Sequence, residues 1–401
     1  MLATPLQRIG GPSAGEILGI IRTHQGVTRK GLQDRTGLGR STISQRVGAL
    51  LRVGFVTEMS TEQSTGGRPA TDLRIAPGYG VVLAADLGAT HSRLAVCDLS
   101  GAPLADHAED IAIARGPDDV IAWMCRRFDA LLRATGHRRG DVRSVGIGVP
   151  GPVEFSAQRA VSPPIMPGWD GVFIPDLVRR RFPVSVVVDN DVNVMALGEY
   201  WTHWRDDVRD LLFVKVGTGI GSGIIVGGGL HRGALGAAGD IGHVGVGDDR
   251  DAPCHCGNNG CLEARASGNA VAAQLRALGR TCADGRGVTA LVREGDAHAV
   301  RLVRDAGRDI GHVLAAAVNI LNPSVIVIGG DLSLADEPLL AGIREITYQR
   351  STALATRHLP IVTSRLGDLA GVRGAATLAI DEVLSPAAVD RRLAEVGRPP
   401  P

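Results

Sequence analysis

Two stretches carry the fold: Val81–Leu99, VVLAADLGATHSRLAVCDL, and Leu211–Leu230, LLFVKVGTGIGSGIIVGGGL. Each is an apolar run, a short glycine-bearing turn and a second apolar run, the pattern of a β-hairpin. The first turn holds Asp86, Gly88, Ala89 and Thr90; the second holds Gly217, Thr218, Gly219, Ile220 and Gly221. Glycine lets backbone N–H groups approach a phosphate closely, hydroxyls add donors, and an aspartate can hold Mg²⁺ through water. One glycine turn alone is an ordinary hairpin feature. Two in this order point to one polyphosphate gripped from two lobes, with Gly329 and Gly330 at the end of the later strand VIVIGG joining them.

Around these hairpins, short apolar strands alternate with helical runs at 119–134, 191–204 and 297–321, an α/β body. Between the turns lies VVVDNDVNVMALGEYW, Val186–Trp201. A strand ends and a helix begins at Asn190-Asp191, the strand edge where α/β folds bind ligands. Asp191 there suits a base taking a proton from an attacked hydroxyl, with Asn190 bonding a neighbouring one. Asp189, Asn190 or Asp191 would equally serve as a plain helix cap. Both readings stand on local sequence.

Half of the six cysteines fall within eight residues. The series His243-x10-Cys254-x-Cys256-x4-Cys261 offers three thiolates and an imidazole, the closed tetrahedral set of structural Zn²⁺. A redox cysteine pair, or His255 in place of His243, are the rival readings. Asp240 precedes the loop and Glu263 follows it, so an ion here would tie together carboxylates suited to sugar hydroxyls.

Residues 1–75 differ from the rest. They hold ten Lys/Arg against five Asp/Glu, net +5, while the remainder carries 33 against 37. Ile17, Leu18, Ile20 and Ile21 form one helical stripe. Thr28 caps a second helix that turns Leu32 inward, and Gly37–Gly39 makes a turn. In RSTISQRVGALLRVG, Ile43, Val47, Leu50 and Leu51 share one face. Arg40, Ser41, Thr42, Ser44, Gln45 and Arg46 share the other, as on a recognition helix entering the major groove of a double-stranded DNA operator. FVTEM and TDLRIA pair as a wing whose tip carries Arg68, slim enough for a minor groove. A protein-docking module is the plainer reading. Since one winged helix binds weakly, a homodimer or higher homo-oligomer is expected.

No run of about 18 apolar residues exists, so no membrane partner is expected. The N-terminal stretch does not read as a signal peptide, and the cytoplasm, where thiols stay reduced, is the expected location. Residues 385–401 are expected to be a flexible tail, a short helix fraying into a Pro-rich end.

The motifs DLGAT (86–90), GVPGPV (148–153), DNDVNVMALGE (189–199), GTGIGSG (217–223), GDIGH (239–243) and CHCGNNGCLE (254–263) together resemble the ROK family of repressors, open reading frames and kinases. With the head at 1–75 and the body at 76–384, the resemblance is to the regulator branch. It implies a winged helix-turn-helix followed by a two-lobed actin/hexokinase-like (ribonuclease H-like) body. It implies sugar contacts from Asn190, Asp191, Asp240, His243 and Glu263, with Asp191 in the kinases' base position. It implies zinc on His243, Cys254, Cys256 and Cys261. The expected function is a sugar-responsive transcriptional regulator; the alternative is an ATP/Mg²⁺-dependent sugar kinase carrying a regulatory head. Two departures stand out: Asp240 replaces the kinases' Glu, and Ala89 replaces a second Gly in the first turn.

Overall fold

The computed structural model describes residues 11–24, 26–60, 71–246 and 252–396. Arg68 and the rest of the wing tip lie outside them. The order of strands shows how the body is built. One five-stranded sheet runs Ser185–Asn190, Val142–Val149, Val81–Leu87, His91–Cys97, Pro103–Asp110. The other runs Ile361–Thr363, Val325–Gly329, Leu211–Val216, Ile220–Val226, Gly229–His231. In both, counted along the chain, the first strand pairs antiparallel with the second and parallel with the fourth. The body is therefore one sheet topology used twice. Each lobe places its glycine turn between its first two strands, so the two turns face one another across the junction.

Each sheet is apolar because helices cover it. Val120, Met124, Phe128 and Leu132 of the helix Pro117–Ala134 are buried against the first lobe, and Val303, Ile310 and Leu314 of Ala297–Leu321 against the second. Two helices, Asp191–Glu199 and Ala370–Val383, cross where the lobes meet. They pack backbone to backbone: a Cβ on Gly374 would fall 1.5 Å from the Val194 carbonyl oxygen, and one on Gly198 2.2 Å from that of Ala370. Close packing of this kind transmits displacement instead of absorbing it.

The head has three helices, Ala14–Thr23, Arg29–Thr36 and Arg40–Val53. Ser13 and Glu16 close a capping box on the first, and the Thr28 hydroxyl accepts the Gly31 N–H at 3.0 Å on the second. Val56–Ser60 and Thr71–Ile75 pair as a hairpin, with Val27–Thr28 as a third strand. Ile17, Leu18, Ile21, Leu32, Ile43, Val47 and Leu50 are buried together. Leu51 is only half-buried.

The C-terminal segment departs from a flexible tail. Pro386–Val396 is a helix with Val389 buried in the head's core. Asp390 Oδ1 accepts the Gly15 N–H at 2.9 Å, and a Cβ on Gly15 would meet the Pro386 carbonyl oxygen at 2.4 Å. The apolar face of an amphipathic helix found a partner in the head, which its own periodicity could not name.

Candidate functional site

A cavity of about 480 Å³ opens between the lobes, within the range of small-ligand pockets. Asn190, Asp191, Asp240, His243 and Glu263 all line it. A smaller crevice of about 120 Å³ adjoins it, lined by Asp86, Gly88, Thr90, Thr218 and Gly330 among others. Two of the residues assigned to a nucleotide lie elsewhere. Gly219 lines the larger cavity, where a Cβ would strike Glu263 Oε2 at 2.2 Å. Gly329 is buried in its strand under the Phe213 ring, 2.5 Å from where a Cβ would stand. Ala89 lines both spaces and is not among the described non-glycine residues with positive φ, so the turn does not require glycine's left-handed backbone there.

Asn190 is the N-cap of Asp191–Glu199. Its Oδ1 accepts the N–H groups of Val192 (2.9 Å) and Asn193 (3.3 Å), and its Nδ2 donates to the Gly151 carbonyl (3.0 Å). The capping reading therefore describes Asn190, which faces the cavity with one amide proton uncommitted. Asp189 is buried: Oδ1 accepts from the Asn190 N–H and from Asn193 Nδ2, and Oδ2 accepts Arg232 Nε at 2.7 Å. The Oδ1 of Asn193, on the same wall, is buried with no hydrogen-bond partner.

Asp191 is 4% exposed. Its Oδ1 accepts the Val192 N–H at 2.9 Å, and Lys215 Nζ donates to its Oδ2 at 2.5 Å. Nothing in the motif readings singled out Lys215. The available signal was a lone charge in the otherwise apolar strand LLFVKV. Asp86 lies on the crevice side, close against the second crossing helix, where a Cβ on Gly371 would overlap its carboxylate. Burial raises its pKa to about 6, with Asp191 adding to the rise and Lys215 opposing it.

Glu263 Oε2 accepts the Ile220 N–H at 3.0 Å, which ties the helix after the cysteine loop to the second glycine turn. Asp240 is half-exposed, with Oδ1 3.8 Å from His243 Nε2.

The ligand atoms of His243, Cys254, Cys256 and Cys261 all lie within 4.8 Å of one another. His255 stays outside this group and lines the cavity. Cys256 and Cys261 Sγ are 3.7 Å apart, and Cys254 Sγ is 3.5 Å from His243 Nδ1. A tetrahedron with metal–sulfur bonds of about 2.3 Å and metal–nitrogen bonds of about 2.0 Å has edges of roughly 3.8 and 3.5 Å. The donor set thus fits a tetrahedral metal ion. A hydrogen bond to the Asn258 backbone lowers the Cys256 thiol to about 7, while burial pushes Cys261 to about 12. His243 turns Nδ1 to the thiols and Nε2 toward Asp240, so one ring serves both the cluster and the cavity wall.

From Glu199 the cavity-floor helix continues into a π-turn, Tyr200–Trp204. Trp201 presents its ring to the Arg22 guanidinium of the first head helix, 4.5 Å from the ring centre. Arg22 also pairs with Asp381 on the second crossing helix. On the recognition-type helix, Arg40, Ser41, Ser44 and Gln45 are exposed, and Thr42 and Arg46 are half-buried.

A duplicated two-lobed body with a carboxylate-bearing cavity at the lobe junction, a His/Cys₃ cluster on its wall and a three-helix head define a sugar-kinase-like protein carrying an extra module. Residues 82–382 match the ROK family, and the chain belongs to that family. A xylose repressor of Caldicellulosiruptor bescii is 28% identical over 92% of this chain and 95% of its own length. A solved ROK family transcriptional regulator, a homologue of the E. coli MLC protein, superposes with a TM-score of 0.81 at 26% identity, covering 95% of this chain and 98% of that one. A ROK glucokinase from Streptomyces griseus, solved with glucose and AMPPNP, superposes at 0.67 and 30% identity, covering 75% of this chain and 99% of that one. The actin/hexokinase-like body is thus shared with kinases, and the full-length likeness, head included, is to a regulator.

Proposed function

We propose that this protein is a sugar-responsive transcriptional repressor. Its head binds operator DNA and its lobe-junction cavity binds a sugar. The observation that carries the reading is the continuity of one helical path. Asp191 at the cavity floor and Trp201 against the head's Arg22 belong to the same helix and its π-turn. Sugar entry that closes the lobes turns the two crossing helices against each other. Arg22 touches both, so the head's placement follows. A coupling of about 1–3 kcal/mol is typical for such two-site systems. Two heads in a homodimer then gain or lose the spacing of two half-sites.

Arg40, Ser41, Ser44 and Gln45 are the exposed residues for base edges and phosphates, with Thr42 and Arg46 at their flank; Arg68 completes the wing in this reading. Zn²⁺ is the metal on His243, Cys254, Cys256 and Cys261, since three thiolates and an imidazole suit it and leave no open position for catalysis. Its part is to hold Asp240, His243 and Glu263 around the sugar. Asp191, Glu263 and Asp240 are acceptors for hydroxyl groups, and the Asn190 amide is a donor.

The test is operator binding by the purified full-length protein at fixed salt, with and without a panel of pentoses, hexoses and amino sugars. Operator fragments are first selected from genomic DNA. Affinity that shifts with one sugar supports the reading; no DNA binding under any ligand ends it. The rival, an ATP/Mg²⁺-dependent kinase, draws on Asp191 at the cavity and the glycine turns at the crevice. Sugar-dependent ADP release that disappears in Asp191→Asn would favour it.

A further inference from the structure

We propose that Lys215 is a built-in counter-ion at the junction of cavity and crevice, so that the cavity accepts an uncharged sugar, rejects its phosphate ester, and is closed to phosphoryl transfer from Mg²⁺–nucleotide. This deepens the regulator reading and rests on the cavity being its sugar site.

Lys215 lies in the strand Leu211–Val216, between buried Val214 and Val216. Its register partners are Gly221 on one side and Gly329 on the other. Neither has a side chain to displace it, so the lysine has room to reach the cleft. It lines both the cavity and the crevice. Its side chain is 24% exposed, and the ammonium is held on Asp191 Oδ2. Burial acts to lower its pKa, but Asp191 and Asp86 outweigh burial and hold it above the ordinary lysine value. The ammonium is therefore permanent at physiological pH.

Charge decides what the junction tolerates. Asp191 and Asp86 act most strongly on the one ammonium, and Asp331, which Arg286 also faces, acts on it less. Of the crevice's two arginines, Arg93 pairs with Asp106 through one terminal nitrogen and keeps a buried, unpartnered Nε, and Arg286 faces Asp110 and the crevice's own Asp331. A phosphate dianion on the hydroxyl beside Asp191 would add two negative charges to a cavity where Asp191, Asp240 and Glu263 already face Lys215. A kinase meets this need with Mg²⁺ held near the first turn's aspartate. Here a fixed monovalent cation sits between Asp191 and Asp86. The same contact fixes the base: Lys215 holds Asp191 Oδ2 and the Val192 N–H holds Oδ1, which sets the carboxylate's orientation and leaves its remaining lone pairs to accept a sugar hydroxyl.

The experiment is a thermal-shift and calorimetric comparison on the full-length protein at constant ionic strength. The probes are xylose, glucose and N-acetylglucosamine, their phosphate esters, and Mg²⁺–ATP, with ADP release measured alongside. The expected result is stabilisation by one uncharged sugar, at least tenfold weaker binding of its phosphate ester, no shift with Mg²⁺–ATP, and no sugar-dependent ADP. Lys215→Met should acquire a Mg²⁺-dependent rise in melting temperature that the wild type lacks; if this variant does not fold, the wild-type panel decides alone. Tighter binding of a phosphate ester overturns the proposal. So does sugar-dependent ADP release by the wild type, or the absence of stabilisation by every uncharged sugar. Loss of operator binding would sink the regulator reading without touching these measurements, so the two failures are separable.

Discussion

The Arg22 guanidinium stands 4.5 Å from the centre of the Trp201 ring while also pairing with Asp381. One head residue is thereby joined to both helices that cross at the lobe junction. Arg22 is 15% exposed in its side chain, so this contact is largely shielded from water and salt.

Trp201→Leu or Arg22→Met should uncouple the sugar from the head. A cation–π contact of this shielding contributes about 1–2 kcal/mol. The sugar-induced change in operator affinity is expected to fall by roughly 5- to 30-fold, while affinity without sugar changes less than threefold. Anisotropy titrations of labelled operator at two sugar concentrations read both quantities. An unchanged sugar response in both variants would remove Arg22 from the path.

Loss of the metal should reach the sugar before it reaches the DNA. Elemental analysis of reduced protein is expected to give one zinc per chain. Cys256→Ser or chelation should weaken sugar binding by at least tenfold and lower the melting temperature by several degrees, since metal affinity is folding free energy for the loop. Head-only operator binding should persist. Full sugar response in the zinc-free protein would disconnect cluster from cavity.

Asp191→Asn should weaken sugar binding by about 10- to 100-fold, because an ionised acceptor contributes roughly 1.5–3 kcal/mol to a hydrogen bond. It also leaves Lys215 without its nearest anion. DNA binding without sugar should survive, as the head makes no contact with Asp191 in the described residues. Isothermal titration with the responsive sugar measures the first effect.

Asp86 sets a pH signature. Its pKa rises from 3.8 unfolded to about 6 folded, chiefly by burial. The folded state thus holds a proton more tightly than the unfolded chain. Stability falls as pH climbs from about 4 to 6 and stays lower above, by up to about 3 kcal/mol. Asp86→Asn, which needs no ionisation, should melt higher than wild type at pH 7.5 and show little gain at pH 4. Equal gains at both values would mean that burial does not act on this carboxylate.

On the third head helix, Gln45→Ala should cost about 1–3 kcal/mol of operator binding and relax preference at one base position if Gln45 meets a base edge as proposed. Arg40→Ala should weaken all DNA sequences alike and lower the salt slope by about one, as expected of a phosphate contact. Titrations at several salt concentrations on matched and mismatched operators tell the two apart.

Much of the architecture was legible along the chain. The duplicated hairpins, the cysteine cluster and the head's apolar faces are all local: their partners lie within a few turns, and period and spacing report them directly. The thiol–imidazole cluster was legible for the same reason, because Cys254, Cys256 and Cys261 share one loop and only His243 is more distant. The N-terminus at Asn190-Asp191 was visible, but the division of labour was not. Which residue caps and which faces the cavity depends on Gly151 and Lys215, from other strands.

The order and type of residues alone determined a two-lobed body with a glycine turn in each lobe, a thiolate–imidazole cluster and a polar-faced head. These follow from backbone freedom, hydrophobic period and ligand chemistry, all short-range properties. Only the tertiary structure decided that Lys215 closes on Asp191 from 24 residues away. It alone decided that Gly219 and Gly329 stand apart from the crevice. It alone docked the C-terminal helix on the head, and placed Trp201 beneath Arg22. Those pairings depend on how two sheets and two crossing helices pack, and packing is a property of the whole chain.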